Sequence, residues 1–119
     1  MKKRIYIAGK LNDMAVDYLN NVHKMMTVAE EVRLAGYSVF VPAIDLLMGI
    51  KFGYTSYEDY FENSQSWLAV SDAVFLVPGW DDSEGTKKEI SLARELGIPI
   101  FANIKGMTVY FDFFANLEF

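Results

Sequence analysis

The run Ala73-Val74-Phe75-Leu76-Val77 is apolar at five successive positions and is then cut off by Pro78 and Gly79. A strand with one face in water alternates apolar and polar side chains. One that is apolar throughout needs a packed layer on each side, which helices supply on both faces of a parallel sheet. The rest of the chain is built for the same arrangement. Ile5-Tyr6-Ile7-Ala8 reads as a first strand stopped by Gly9, Tyr37-Ser38-Val39-Phe40-Val41 as a second closed by Pro42, and Ile98-Pro99-Ile100-Phe101 as a fourth. Between the first two, Ala15, Tyr18, Leu19, Val22, Met25, Met26, Ala29 and Val32 recur at helical spacing, and Gly36 supplies the stop. This strand, helix, strand unit closes through a right-handed crossover, which makes the strands parallel. Ser56 is expected to cap a helix carrying Tyr57, Tyr60, Phe61, Trp67 and Leu68, and a further helix is expected from about Gly85 to Leu96. Asp45 through Tyr54 reads as a polar and aromatic loop with hinges at Gly49 and Gly53. Val109 through Phe114, dense in aromatics without a clear period, reads as a last strand or a segment packed on a neighbour. The expected fold class is α/β, a mostly parallel central sheet flanked by helices, with residues 1-119 as one domain.

The composition narrows the function classes. A chain of 119 residues makes one real core but is short for an enzyme that encloses its substrate alone. The hydrophobic fraction of 52% and aromatic fraction of 15% exceed the usual balance, so surplus apolar surface is expected in the interface of a homodimer or higher oligomer. A net charge of -5 with no basic stripe argues against binding a nucleic acid polymer, and leaves small nucleotides open. With no cysteine there is no disulfide framework and no thiolate nucleophile or metal ligand, which fits a cytoplasmic protein. The basic start Met1-Lys2-Lys3-Arg4 precedes an apolar stretch too short for a signal peptide, and no segment is long enough to span a bilayer, so no membrane partner is expected.

Chemistry is expected where the third strand ends, in Val77-Pro78-Gly79-Trp80-Asp81-Asp82-Ser83-Glu84-Gly85-Thr86-Lys87-Lys88-Glu89. Ser83 or Asp82 can cap the next helix, whose early N–H groups favour an anion or a developing negative charge. Glu89 then lies near the start of that helix at the carboxyl edge of the sheet, where open α/β folds bind small molecules, and the helix start is expected to keep it ionised. Without other signals a glutamate on an amphipathic helix is a solvated residue. Trp80 is expected to stack on a base or to line a pocket wall or interface, and Asp72 reads as a cap or turn residue. Lys87 and Lys88 read as an exposed pair, the lone His23 as surface, and Met25, Met26 and Met48 as core or interface filler. Gly9-Lys10-Leu11-Asn12-Asp13 could cradle a phosphate with its N–H groups but lacks the glycines of a dinucleotide fingerprint.

Tyr6-Ile7-Ala8-Gly9, Trp67-Leu68-Ala69-Val70-Ser71-Asp72-Ala73-Val74 and Ser83-Glu84-Gly85-Thr86-Lys87-Lys88-Glu89 together resemble the nucleoside 2-deoxyribosyltransferase superfamily over roughly the first hundred residues. The likeness is strongest to short members with a Pro-Gly-Trp-x-x-Ser-x-Gly-x-x-x-Glu segment. The resemblance implies a single Rossmann-like, flavodoxin-like domain, assembled as a dimer or dimer of dimers. It also implies cleavage or transfer at the N-glycosidic bond of a (deoxy)nucleoside or nucleoside monophosphate. Glu89 matches the family's nucleophile and Tyr6 the tyrosine that orients it. Ser83 and Gly85 match the hydroxyl and glycine that approach sugar or phosphate, and Gly9, Ser64 and Trp80 complete the expected substrate-binding set. No metal or redox cofactor is expected, because a carboxylate can stabilise the cationic sugar and then attack it. The sequence departs from the family pattern at Ser64, where an aspartate usually helps hold substrate and protonate the departing base. The transferases' second aspartate is replaced by Ser83. A catalytically silent nucleotide-binding or sensing protein of the same fold is the alternative reading.

Overall fold

Four short strands, none polar on both faces, lie side by side in the order β2-β1-β3-β4, and every neighbouring pair is parallel. The computed structural model describes residues 1–11, 14–52 and 57–117. Along the chain these are β1 (Arg4–Ala8), α1 (Ala15–Leu34), β2 (Ser38–Phe40), α2 (Pro42–Phe52) and α3 (Tyr57–Ala69). They are followed by β3 (Ala73–Leu76), a single 3-10 turn (Trp80–Asp82), α4 (Glu84–Glu95), β4 (Ile100–Phe101) and α5 (Ile104–Ala115). The expected α/β class, a parallel sheet flanked by helices, is the one observed. Ser56 lies outside the described residues.

The alternation of side chains along β1 and β3 sends two different cores to the two faces of the sheet. Ile5, Ile7, Phe75 and Val77 pack on one face with Met25, Ala29 and Val32 of α1 and Met107 of α5. Tyr6, Ala8, Val74 and Leu76 pack on the other with Leu68 of α3 and Ile90 and Ala93 of α4. Both faces are covered, which is what the unbroken apolar run in β3 required. The register pairs Tyr6 with Val74 and Ala8 with Leu76, so the carboxyl ends of β1 and β3 finish level. Because β2 lies on one side of β1 and β3 on the other, the connections leave these two ends in opposite directions and open a crevice between them.

Two expectations fail. The stretch expected as a loop from Asp45 to Tyr54 is helical as far as Phe52, since Pro42 opens α2 with a backbone angle already suited to a helix. The aromatic segment expected as a last strand is α5, started by Asn103, whose Oδ1 accepts the Gly106 N–H at 2.6 Å. Met107 is buried and Ile104 and Phe111 pack beside it, at helical spacing, while Val109, Phe113 and Phe114 face outward. Asp72 behaves as a turn residue: its carboxylate accepts the Arg4 N–H at 2.7 Å, and its own N–H donates to the Arg4 carbonyl at 2.7 Å. His23 is exposed on α1; Met25 is buried, whereas Met26 and Met48 are exposed.

Candidate active site at the carboxyl edge of the sheet

The centre of the site is a carboxyl group placed against a phenol in an apolar layer. Tyr6 stands midway along β1 with no exposed surface, on the face covered by α3 and α4. Glu89 lies on the second turn of α4, one residue before the buried Ile90, and keeps only a strip of accessible surface. The two groups are within electrostatic reach of each other: the Tyr6 hydroxyl acts on the Glu89 carboxyl in the direction that favours its ionised form. Burial pushes Glu89 from an ordinary value of 4.5 up to about 7, and the Tyr6 hydroxyl only partly offsets it. The expectation that the helix start keeps Glu89 ionised is therefore reversed. Glu89 is the sixth residue of α4, beyond the first turn where the helix dipole acts, so desolvation dominates.

Around this pair the sequence builds a rigid frame. The Tyr6 ring stacks on Phe40 at 5.5 Å and 22°, and Phe40 stacks on Trp67 at 5.6 Å and 18°, carrying an aromatic column from the core to the surface. Ser83 caps α4: its Oγ accepts from the Thr86 N–H at 3.2 Å and from the Thr86 hydroxyl at 2.9 Å, and Thr86 is buried. That settles the choice between Ser83 and Asp82 and fixes the pitch at which Glu89 is presented. Gly85 sits in the first turn of α4, half-buried. Trp80 is half-buried against the Tyr6 cluster, as part of the wall. Lys87 and Lys88 are exposed, and Lys87 pairs with Glu84 at 3.3 Å.

Ser64 is buried to 2% exposure, one helical turn before Leu68 and so on the same α3 face, toward the carboxyl edge. Its hydroxyl has no hydrogen-bond partner among the described residues. A buried hydroxyl left so is uncommon and costs stability. Gly9 ends β1 against β3: a Cβ there would lie 2.7 Å from the Val77 Cβ, closer than real atoms approach. The backbone after β1 is thus packed directly against the Val77 side chain at the end of β3, beneath the crevice.

A second feature opens on the opposite side of the crevice. A cavity of about 230 Å³ is lined by Lys10 after β1, by Asp17, Asn20, Asn21 and Lys24 of α1, and by Val77, Pro78, Gly79 and Asp82 after β3. Lys10 and Asp82 form an ion pair across it at 2.8 Å. The four α1 residues share one helical face, yet a polar face is what any surface helix presents, so the sequence did not mark Asp17, Asn20 or Lys24 as special.

A family model described as a domain of unknown function, DUF4406, matches residues 3–102. The chain belongs to the DUF4406 family. Among solved structures, this DUF4406 member is similar to a 2-deoxyribosyltransferase from the psychrotolerant bacterium Bacillus psychrosaccharolyticus, with 27% identity and a TM-score of 0.57. The match covers 82% of this chain and 69% of that one. The resemblance drawn from Tyr6, Ser83, Gly85 and Glu89 thus meets a matching three-dimensional fold. Among curated protein sequences nothing matches the chain. No described helix of this DUF4406 domain is long and apolar enough to cross a membrane.

Proposed function

We propose that this chain cleaves or transfers at the N-glycosidic bond of a (deoxy)nucleoside or nucleoside monophosphate, with Glu89 as nucleophile and Tyr6 orienting it. The observation that carries the reading is a largely buried carboxyl, Glu89, under the influence of the Tyr6 hydroxyl at the carboxyl edge of a sheet whose fold is shared with a 2-deoxyribosyltransferase. In the first step a Glu89 carboxylate oxygen bonds to the anomeric carbon while the carbon–nitrogen bond breaks, its electron pair leaving with the base, which takes up a proton. Water or a second base then attacks the same carbon and returns the carboxylate. Low polarity around Glu89 strengthens its attraction for the cationic sugar as that charge develops. Tyr6 holds one carboxyl rotamer and favours the ionised form, while Trp80, Gly9, Gly85 and the Ser83 cap shape the sugar's surroundings.

The reading has a pH signature. Glu89 attacks only when deprotonated, so turnover by the free enzyme rises with pH through about 7. The test is chromatography of base released from, or exchanged between, common nucleosides and their monophosphates, together with mass analysis for a glycosyl adduct on Glu89. Base release with an adduct at Glu89 supports the proposal; no release, exchange or adduct with any of them refutes it.

A second reading, a binding or sensing protein without turnover, is favoured by Ser64, a neutral hydroxyl where the resemblance calls for an acid. It would bind the same ligands and leave them intact. In either reading we place the protein in the cytoplasm, and as a homo-oligomer, the latter supported by exposed Trp67, Phe113 and Phe114.

A further inference from the structure

The influence of Tyr6 on Glu89 depends on where the phenol hydroxyl points, and the ring decides that. Conjugation keeps the hydrogen of a phenol in the plane of its ring, so a change of plane re-aims the O–H even when the oxygen stays in place. A swing about the first side-chain torsion moves the oxygen as well. The core residues that share the Tyr6 layer, Ala8, Leu68, Val74, Leu76, Ile90 and Ala93, are aliphatic: they fill space, carry no charge and favour no ring plane.

Phe40 supplies the plane. It stands opposite Tyr6 in the register of β1 with β2, so both rings leave the sheet on the same face. The Tyr6 and Phe40 rings lie 5.5 Å apart and only 22° from parallel, and Phe40 lies 5.6 Å and 18° from Trp67. Ring pairs around α5 instead meet at angles from 47° to 88°, the tilted and edge-on contacts of ordinary aromatic filling. Two successive near-parallel stacks make a column in which each ring limits the tilt of the next. β2 is three residues long and forms the edge of the sheet, so no further strand steadies Phe40 from outside. Trp67 does so from α3, where it is half exposed and stands next to the fully buried Leu68.

We propose that Phe40 is a positioning residue for the Glu89 chemistry: it acts through Tyr6, fixing the ring plane and so the direction from which the phenol hydroxyl meets the carboxyl, with Trp67 bracing Phe40 from outside. Its part in turnover rests on the N-glycosidic reading; its effect on the Glu89 proton does not. A side chain that merely filled the edge of the sheet at position 40 would support β2 and leave that proton undisturbed.

The experiment follows the titration of Glu89 by carbon-13 NMR of its carboxyl, and the pH–rate profile of base release from common nucleosides and their monophosphates. The chains are wild type, Phe40→Leu, Phe40→Tyr, Trp67→Leu, and Phe40→Leu combined with Tyr6→Phe. Phe40→Leu is expected to move the Glu89 midpoint and the rising limb of the profile to higher pH by about half a pH unit, a roughly threefold loss of turnover at pH 7 that is recovered in more alkaline buffer. Phe40→Tyr keeps the ring and is expected to leave both in place, while Trp67→Leu moves them the same way by less. Added to Tyr6→Phe, Phe40→Leu is expected to have no further effect on the midpoint, because the hydroxyl through which it acts is gone. An unmoved midpoint in Phe40→Leu, whatever its stability in urea, would overturn the role, as would an equal shift in the Tyr6→Phe background. Should Phe40→Leu fail to fold, Trp67→Leu reads the same column from its half-exposed end, and an unmoved midpoint there overturns it. Shifted midpoints with no base released by any of the chains would support the positioning role while overturning the N-glycosidic reading.

Discussion

The two sides of the crevice handle charge in opposite ways. On the α3 and α4 side the Glu89 carboxyl lies within the influence of Tyr6, and burial raises its proton affinity. On the α1 side Lys10, Lys24, Asp17 and Asp82 face an open cavity, where water and opposite charges leave them solvated. The lesson is that one sheet edge can hold a carboxyl away from water on one side and an ion pair facing open solvent on the other, separated by five residues of turn.

The dry side is broken most severely by Glu89→Gln. Base release is expected to fall by about 10³-fold or more, measured by chromatography, because the nucleophile is gone. Stability is expected to move the other way, and the sign follows from the proton. Between pH 4.5 and about 7 the folded chain keeps a proton on Glu89 that the unfolded chain gives up. Raising the pH through that window therefore costs stability, about 3 kcal/mol once pH exceeds 7, and the cost disappears at low pH. Urea unfolding should show Glu89→Gln gaining on wild type at pH 8 and little at pH 4. An equal difference at both pH values would mean the carboxyl is not held in a dry layer.

The seam between the sides is tested by Gly9→Ala. With Val77 in the way, the added methyl is expected to destabilise the chain by about 2 kcal/mol through overpacking, read by urea unfolding. Tyr6→Phe keeps the ring stack but removes the hydroxyl that favours the Glu89 carboxylate. The rising limb of the pH–rate profile is expected to shift to higher pH, with a loss of roughly tenfold at pH 7. Ser83→Ala, at the dividing wall, is expected to cost about 1 kcal/mol in thermal unfolding, the usual price of a lost helix cap. The smallest effect is foreseen for Ser64→Ala: unchanged or slightly higher stability, because an unpartnered buried hydroxyl is removed, but weaker ligand binding by titration. A stability loss of about 1 kcal/mol there would show that the hydroxyl already has a partner in the fold.

The sheet was legible because its signal is short-range: continuous apolar runs and Gly or Pro stops mark buried strands however they are ordered. The Ser83 cap was legible because a hydroxyl directly before a helix start is a local signal, whereas the pairing of Tyr6 with Glu89 came only from the family resemblance. What the sequence concealed depended on packing. Phe111 and Met107 look like strand residues until the Asn103 cap commits the backbone to a helix. The protonation of Glu89 turns on how closely Tyr6, Ile90 and α3 surround it, which residue types alone do not reveal. The cavity is assembled from α1 and two loops far apart in sequence, and its polar lining looks like ordinary surface until the loops are folded over it.

The close approach at Gly9 has a consequence for how such a chain can vary. With β1 and β3 pinned backbone to side chain beneath the rim, the floor of the crevice cannot widen to admit a larger group. New ligands have to be accommodated by exchanging side chains above that floor, on α1, α3 and the turn, while the platform that carries them keeps its dimensions.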